Sequence, residues 1–295
     1  MRAFDLYTAT DARHAVALLA EHAGSVKVLA GGTDLLVELK SAAHVPRAVV
    51  DISRAADLKQ IATTPRGLAI GALATHSDIL RSALVRELCP ALAEAAHAVG
   101  AVQTRNLGTL GGNLVTCVPS MDSGPALAAL DAEVVIAGAR GSRRLALADF
   151  FVAPRRTALA AGELLTDILV PARSLRKPAH FVKFGLRKGQ ALALVNAAAA
   201  LHAAGDPPAF KDVRIALGAV APTVMRASAA EASLEGAAIT PEAMAEAGRI
   251  AAAECQPITD FRASAGYRRD LVAVLVKRAL EHAAAQARGR PEQAR

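Results

Sequence analysis

Val26-Lys27-Val28-Leu29-Ala30-Gly31-Gly32-Thr33-Asp34-Leu35-Leu36 passes from a short β-branched, apolar run into a glycine pair and then into residues spaced for a helix. Strand, tight loop and helix in immediate succession is the pattern of a small α/β unit. Adjacent glycines let the backbone take positive φ and bring several N–H groups to one point, a concave nest for an anion such as phosphate. The same pair also serves in an ordinary tight turn, so one pair leaves both readings open. A second pair, Thr109-Leu110-Gly111-Gly112-Asn113, has the same form and is expected beside an apolar strand as well. Neither stretch carries G-x-x-x-x-G-K-S/T, and neither has G-x-G-x-x-G between a strand and a helix. A P-loop and a Rossmann fingerprint are therefore excluded, and a dinucleotide bound here needs another fold.

Outward from the first pair, Asp11 is placed to cap a helix over residues 12–20 that ends near Gly24. Further strands are expected over residues 45–52 and 67–72. A helical stretch follows over residues 77–99, with a break at Pro90, which cannot continue a helix without losing a hydrogen bond. Residues 133–137 and 144–147 read as a hairpin around a turn at Ala139-Arg140-Gly141-Ser142. Pro171-Ala172-Arg173-Ser174-Leu175-Arg176-Lys177-Pro178 joins two prolines to a basic run without periodicity and marks a boundary. Beyond it, three strands are expected, around residues 181–184, 193–203 and 213–219. Helices over residues 225–234, 241–255 and 267–286 follow, and the residues after Ala287 are polar.

The 295 residues suggest about two domains. A hydrophobic share of 53% against 21% charged residues excludes disorder as the main state. The longest uncharged stretch, residues 189–205, has 17 residues interrupted by Gln190, Asn196 and His202, short of the ~20 apolar residues of a membrane span. No apolar region follows Arg2, and Asp5 and Asp11 stand where a signal peptide is uncharged, so a cytoplasmic chain is expected. Cys89, Cys117 and Cys255 are odd in number and far apart, which fits buried free thiols rather than disulfides or a metal ligand set. The net charge of +7 comes with no Trp and two Tyr, which argues against nucleic acid as a partner. His76-Ser77-Asp78 lacks any surrounding G-x-S-x-G, so a hydrolase is not indicated. Tyr267-Arg268-Arg269-Asp270 reads as a structural pin at the start of the last helix.

Four motifs in order carry a more specific message: residues 29–36, Gln103-Thr104-Arg105-Asn106-Leu107-Gly108-Thr109-Leu110-Gly111-Gly112-Asn113-Leu114, Asp122, and Ser264-Ala265-Gly266-Tyr267-Arg268-Arg269. Together they resemble the FAD-binding medium subunit of the molybdenum hydroxylases, the xanthine dehydrogenase and aerobic carbon monoxide dehydrogenase family, from about Phe4 to Ala284. The resemblance implies an α+β chain. Its vanillyl-alcohol-oxidase (PCMH) type FAD-binding domain would occupy residues 1–175, with subdomains of about 1–55 and 56–175. A C-terminal domain with a three-stranded sheet and helices would follow over 176–287, and a tail over 288–295. It further implies that Lys27, Val28, Leu29, Ala30, Gly31, Gly32, Thr33 and Asp34 form a first pyrophosphate loop. Thr109, Gly111, Gly112 and Asn113 would form a second, with Thr116 and Asp122 reaching toward ribityl or ribose hydroxyls. Leu165 and Lys183 match positions that line the isoalloxazine in relatives, where a cation stabilises negative charge on the reduced ring.

The departures from the family pattern are also specific. Carbon monoxide dehydrogenases of the family carry a histidine where this chain has Thr33, and relatives often place an aromatic at the position of Leu192. No His or Cys lies within residues 27–36, so FAD is expected to be non-covalent, and the three scattered cysteines leave no room for the extra iron–sulfur cluster of the benzoyl-CoA-reductase-like branch. As the resemblance implies, the molybdenum cofactor sits on a large partner subunit and 2Fe–2S clusters on a small one, in a dimer of heterotrimers. Electrons would leave through FAD to NAD, oxygen, a quinone or another acceptor. Arg173, Arg176, Lys177, Lys183, Arg187 and Lys188, with no acid between Asp167 and Asp206, either steer an anionic acceptor, dock an acidic subunit or form a solvated surface. Two other readings remain at this point: a self-sufficient FAD-dependent oxidase or reductase, and a non-catalytic nucleotide-binding assembly subunit.

Overall fold

In the computed structural model, residues 3–41 and 45–289 are described; Met1, Arg2 and the tail from residue 290 lie outside them. The chain begins with β1 (Asp5–Thr8), α1 (Ala12–Glu21), β2 (Val26–Leu29), α2 (Leu35–Lys40) and β3 (Ala48–Asp51). The three strands form a parallel sheet in the order β1-β3-β2. Parallel neighbours need crossovers, and α1 and α2 supply them. Asp11 caps α1 by accepting from the His14 N–H at 2.8 Å, and Ala15, Val16 and Leu19 turn inward against Val50 and Ile52.

A five-stranded antiparallel sheet follows. Its first strands are β4 (Ile61–Thr64) and β5 (Gly67–Gly71). Six short helices come next: α3 (His76–Arg81), α4 (Ala83–Leu88), α5 (Pro90–Ala98), α6 (Val102–Leu107), α7 (Leu110–Thr116) and α8 (Ser123–Ala129). The chain returns to the sheet through β6 (Glu133–Gly138) and β7 (Gly141–Ala146), the expected hairpin. After α9 (Leu147–Phe150) and a small ribbon of β8 (Phe151–Ala153) and β9 (Arg156–Thr157), it enters β10 (Leu164–Pro171). The order is β4-β5-β10-β6-β7, so β10, which sequence periodicity does not reveal, is the central strand. Pro90 sits at the first helical position of α5, where its missing N–H costs nothing, so it opens a helix rather than merely interrupting one. A second break at Ser82 caps α4.

The C-terminal part contains β11 (Ala179–Gly185), β12 (Ala193–Ala204), β13 (Ala209–Gly218), β14 (Met225–Arg226), α10 (Ser228–Leu234), α11 (Pro241–Glu254) and α12 (Ala265–Ala287). Its sheet has four strands, not three: Met225 and Arg226, expected to start a helix, pair with Ala216 and Leu217, and α10 begins two residues later. The alanine run of β12 is covered on both faces. Ala198 and Ala200 pack into the core that contains α5 and α8, while Ala197, Ala199 and Leu201 pack into the core built by α11 and α12. One strand thus serves as the wall between two cores.

The basic run around the domain boundary is only in part an open positive surface: Arg187 and Lys188 are exposed, while the other four cations face acids. Lys177 is buried and paired with Asp212 at 2.7 Å. Arg176 pairs with Glu87, Arg173 approaches Asp131, and Lys183 pairs with Asp122. Arg268, also buried, donates to the Leu194 carbonyl at 2.6 Å and pairs with Asp260, pinning α12 to β12. All three cysteines are buried free thiols, and burial pushes Cys89 and Cys255 up to about 12.

Candidate cofactor-binding site

A cavity of about 630 Å³ lies where the parallel sheet, the helical run and the β11–β12 hairpin meet, a size in the range of small-molecule and cofactor sites (~300–1,000 Å³). Val28, Ala30, Gly31, Gly32, Thr33 and Asp34 line one side. Thr109, Gly111, Gly112, Asn113 and Thr116 line another, and Asp122 and Leu165 complete the set drawn together from the sequence. Lys27 is exposed on β2 and lies off the wall, as does Leu29, whose methyl packs near Gly32. Lys183 is also off the wall.

The first glycine segment is held open as a set of donors. Among the described residues, the N–H groups of Gly31, Gly32, Thr33 and Asp34 have no hydrogen-bond partner, although the Gly32 and Asp34 carbonyls accept from Leu36 and Glu38 at 3.1 Å. Gly32 has φ +72°, a left-handed conformation that favours glycine. At Gly31 the requirement is space: a Cβ there would stand 1.8 Å from the Leu107 carbonyl oxygen. The two glycine segments are therefore in backbone contact at Gly31 and Leu107.

The second segment differs from the expectation of a loop beside a strand. It is the start of α7, and its N–H groups are already engaged. Leu110 donates to the Ala74 carbonyl at 2.8 Å and Gly111 to that of Ala72 at 2.9 Å. Gly112 donates to the capping hydroxyl of Thr109 at 3.1 Å, and Asn113 to the Thr109 carbonyl at 3.0 Å. A Cβ on Gly111 would fall 2.6 Å from that of Ala72, so this glycine lets the helix sit against the chain leaving β5. The Asn113 amide contacts Ser123 at 2.5 Å, and the Thr116 hydroxyl donates to the Gly112 carbonyl at 2.8 Å.

Asp122 closes the far side. Its Oδ2 accepts from Lys183 at 2.5 Å and its Oδ1 from Asn196 at 2.9 Å. The Lys183 ammonium also donates to the Ala98 carbonyl at 2.9 Å. Burial pushes the Asp122 carboxyl above its ordinary range, and Lys183 and Asn196 oppose that shift. Lys183 is thus one half of a buried ion pair that ties β11 and β12 to the helical run. Removing one partner of such a pair typically costs ~3–5 kcal/mol.

Two further features, outside the set drawn together from the sequence, complete the wall. The β11–β12 hairpin brings Gln190, Ala191 and Leu192 over the cavity, held by the Gln190 N–H on the Gly100 carbonyl at 3.1 Å. The other is His76, at the start of α3, where the Thr75 and Asp78 capping box fixes it. The residue borders the cavity at 1% exposure, and its Nδ1 is fully buried without a partner. Burial, reinforced by Arg105, holds it at about 4. An unmet buried polar group costs ~1–3 kcal/mol. Unengaged N–H groups on the wall of a cavity of this size are what a partly anionic cofactor would satisfy, and FAD fits that description.

Residues 2–173 match the family described as FAD binding domain in molybdopterin dehydrogenase, and residues 180–283 match the CO dehydrogenase flavoprotein C-terminal domain. The chain belongs to the FAD-binding medium subunits of the molybdenum hydroxylase family. Members of the family are subunits of oxidoreductase complexes. This medium subunit is 34% identical over 281 residues to the carbon monoxide dehydrogenase medium chain of Hydrogenophaga pseudoflava, covering 95% of this chain and 96% of that one. It is 32% identical over 260 residues to the glyceraldehyde dehydrogenase medium chain of Sulfolobus acidocaldarius, covering 88% and 91%. The solved carbon monoxide dehydrogenase from H. pseudoflava lacking the Mo-pyranopterin moiety superposes with a TM-score of 0.92 over 97% of this chain and 98% of that one, at 34% identity. The names of these relatives give carbon monoxide and glyceraldehyde as substrates, so one medium-chain architecture accompanies different chemistry. No helix among the described residues is long and apolar enough to cross a membrane.

Proposed function

We propose that this medium subunit holds FAD non-covalently in the cavity and passes electrons from 2Fe–2S clusters on a small partner subunit to an external acceptor such as NAD, oxygen or a quinone. A large partner subunit would carry the molybdenum cofactor and the substrate pocket, and the assembly would be a cytoplasmic dimer of heterotrimers. The observation that carries the reading is the row of unengaged N–H groups at Gly31, Gly32, Thr33 and Asp34 on a cavity wall, in a chain related end to end to medium subunits. Bound FAD supplies the electron-carrying chemistry, and the protein supplies its placement and surroundings. Gly31 to Asp34 donate to the anionic part of the cofactor, while the 190–192 hairpin shields the cavity from bulk water. Asp122 stays on the wall with both oxygens already engaged, so any hydroxyl it accepts from is a third partner. The absence of His and Cys from residues 27–36 supports a non-covalent cofactor.

The test is to withdraw the tagged chain gently from its native host, record its visible spectrum, identify the released cofactor and assay iron and molybdenum. A flavin band yielding FAD, with iron–sulfur absorbance and molybdenum from co-purifying chains, is expected. FAD without partner chains would favour a self-sufficient flavoenzyme, and a colourless, folded chain would favour a non-catalytic assembly subunit.

A further inference from the structure

Among the described residues, no lysine or arginine lines the cavity, and His76 is the one basic residue on its wall. Its place is specific. The His76 N–H donates to the Gly108 carbonyl at 3.1 Å, which anchors α3 to the residue preceding the Thr109 cap. The His76 Cδ2 lies 3.5 Å from the point where Gly108 would carry a Cβ, and the Thr33 hydroxyl lies 3.7 Å from that same point. The imidazole and the hydroxyl thus flank the junction at which Gly31 touches Leu107.

The neighbours of His76 do not satisfy its Nδ1. Arg105, a donor only, is engaged by the His97 and Val99 carbonyls, and Asp78 by Thr75 and Arg81. A neutral imidazole carries one donor and one acceptor nitrogen. The anionic part of FAD is its diphosphate, and it would meet the unengaged N–H groups of residues 31–34 at this junction.

Resting on the FAD-binding reading above, we propose that His76 is a cofactor-binding residue whose imidazole donates a hydrogen bond to the diphosphate of FAD. The donor is the Nε2–H, next to the Cδ2 that faces the junction, and the side chain acts in place of the absent lysine or arginine.

The full chain, stripped of flavin, is titrated with FAD and separately with riboflavin, as wild type, His76→Gln and His76→Leu. The His76→Leu chain is expected to bind FAD about tenfold or more weakly, as loss of a hydrogen bond to a charged group implies. It should also shift the 31P resonances of bound FAD and leave riboflavin affinity unchanged. His76→Gln, which keeps a donor, should recover much of the affinity. Without flavin, His76→Leu should melt no lower than wild type, which a purely structural role would not allow. Unchanged FAD affinity in His76→Leu overturns the proposal, as does an equal loss for riboflavin and FAD. A wild-type chain that takes up no FAD overturns this proposal and the cofactor reading together, whereas uptake by wild type with His76→Leu unaffected overturns this one alone.

Discussion

Gly31-Gly32 leaves the N–H groups of residues 31–34 without protein partners, whereas Gly111-Gly112 sits in a helical turn whose N–H groups are engaged by Ala72, Ala74 and Thr109. The two pairs look alike in sequence and even touch one cavity. Their glycines answer different physical demands. Gly32 meets a backbone demand at φ +72°, while Gly31 and Gly111 meet demands for space against Leu107 and Ala72. The first pair therefore leaves donors free on the cavity wall, while the second packs against Ala72 and positions the cavity's other wall. A glycine pair followed by a polar residue does not by itself make a nest; what matters is whether its donors are left over once the fold is complete.

That contrast can be broken most severely at the contact between the segments. Gly31→Ala places a methyl against the Leu107 carbonyl and is expected to cost about 3 kcal/mol or more, roughly 6–12 °C in Tm for a chain of this order of size, with loss of flavin. Thermal melts and flavin content of the purified variant check this, and a melt matching wild type would show that the contact relaxes freely.

The next largest effect is on acid stability, through His76 at the same junction. Its value falls from 6.5 to about 4 on folding, so between those pH values the unfolded chain binds the proton and the folded chain does not. Stability from this group is full above 6.5 and is lost as pH falls toward 4, by about 3 kcal/mol in all. Urea unfolding of the flavin-free chain from pH 7 to pH 4 should show a difference between wild type and His76→Leu that grows by about that amount in favour of the variant.

A smaller effect separates the two pairs directly. Gly32→Ala forces a side chain into a left-handed conformation at ~1–2 kcal/mol, and it should weaken FAD binding more than it lowers the melting temperature of the flavin-free chain. Thr109→Ala removes the cap on Gly112 at ~1 kcal/mol and should do the reverse, lowering the melt with little change in FAD affinity, while Thr109→Ser retains both. Equal patterns in the two variants would erase the distinction.

Much of the fold was legible because local signals agreed with it. Asp11 capped α1, residues 35–40 formed a helix directly after the first glycine pair, and the hairpin around Ala139 and Arg140 formed as patterned. The misses have physical causes. β10 is buried on both faces and broken by a bulge between Leu165 and Asp167, so it shows no alternation. α7 begins in a stretch whose glycines lower helix propensity by about 1 kcal/mol each, and tertiary contacts to Ala72 and Ala74 override that. Four cations of the basic run, Arg173, Arg176, Lys177 and Lys183, looked unpaired because their acids, Asp131, Glu87, Asp212 and Asp122, are far away in sequence. The helix was expected from residue 77, one residue late, and nothing local says that the His76 ring is buried beside a cavity.

The most direct measurement is hydrogen exchange by mass spectrometry on the full chain, stripped of flavin and then reloaded with FAD. Peptides covering residues 31–34 should exchange quickly when stripped and become protected on loading, while those covering residues 110–113 should be protected in both states. Protection gained at 110–113 with none at 31–34 would contradict the account.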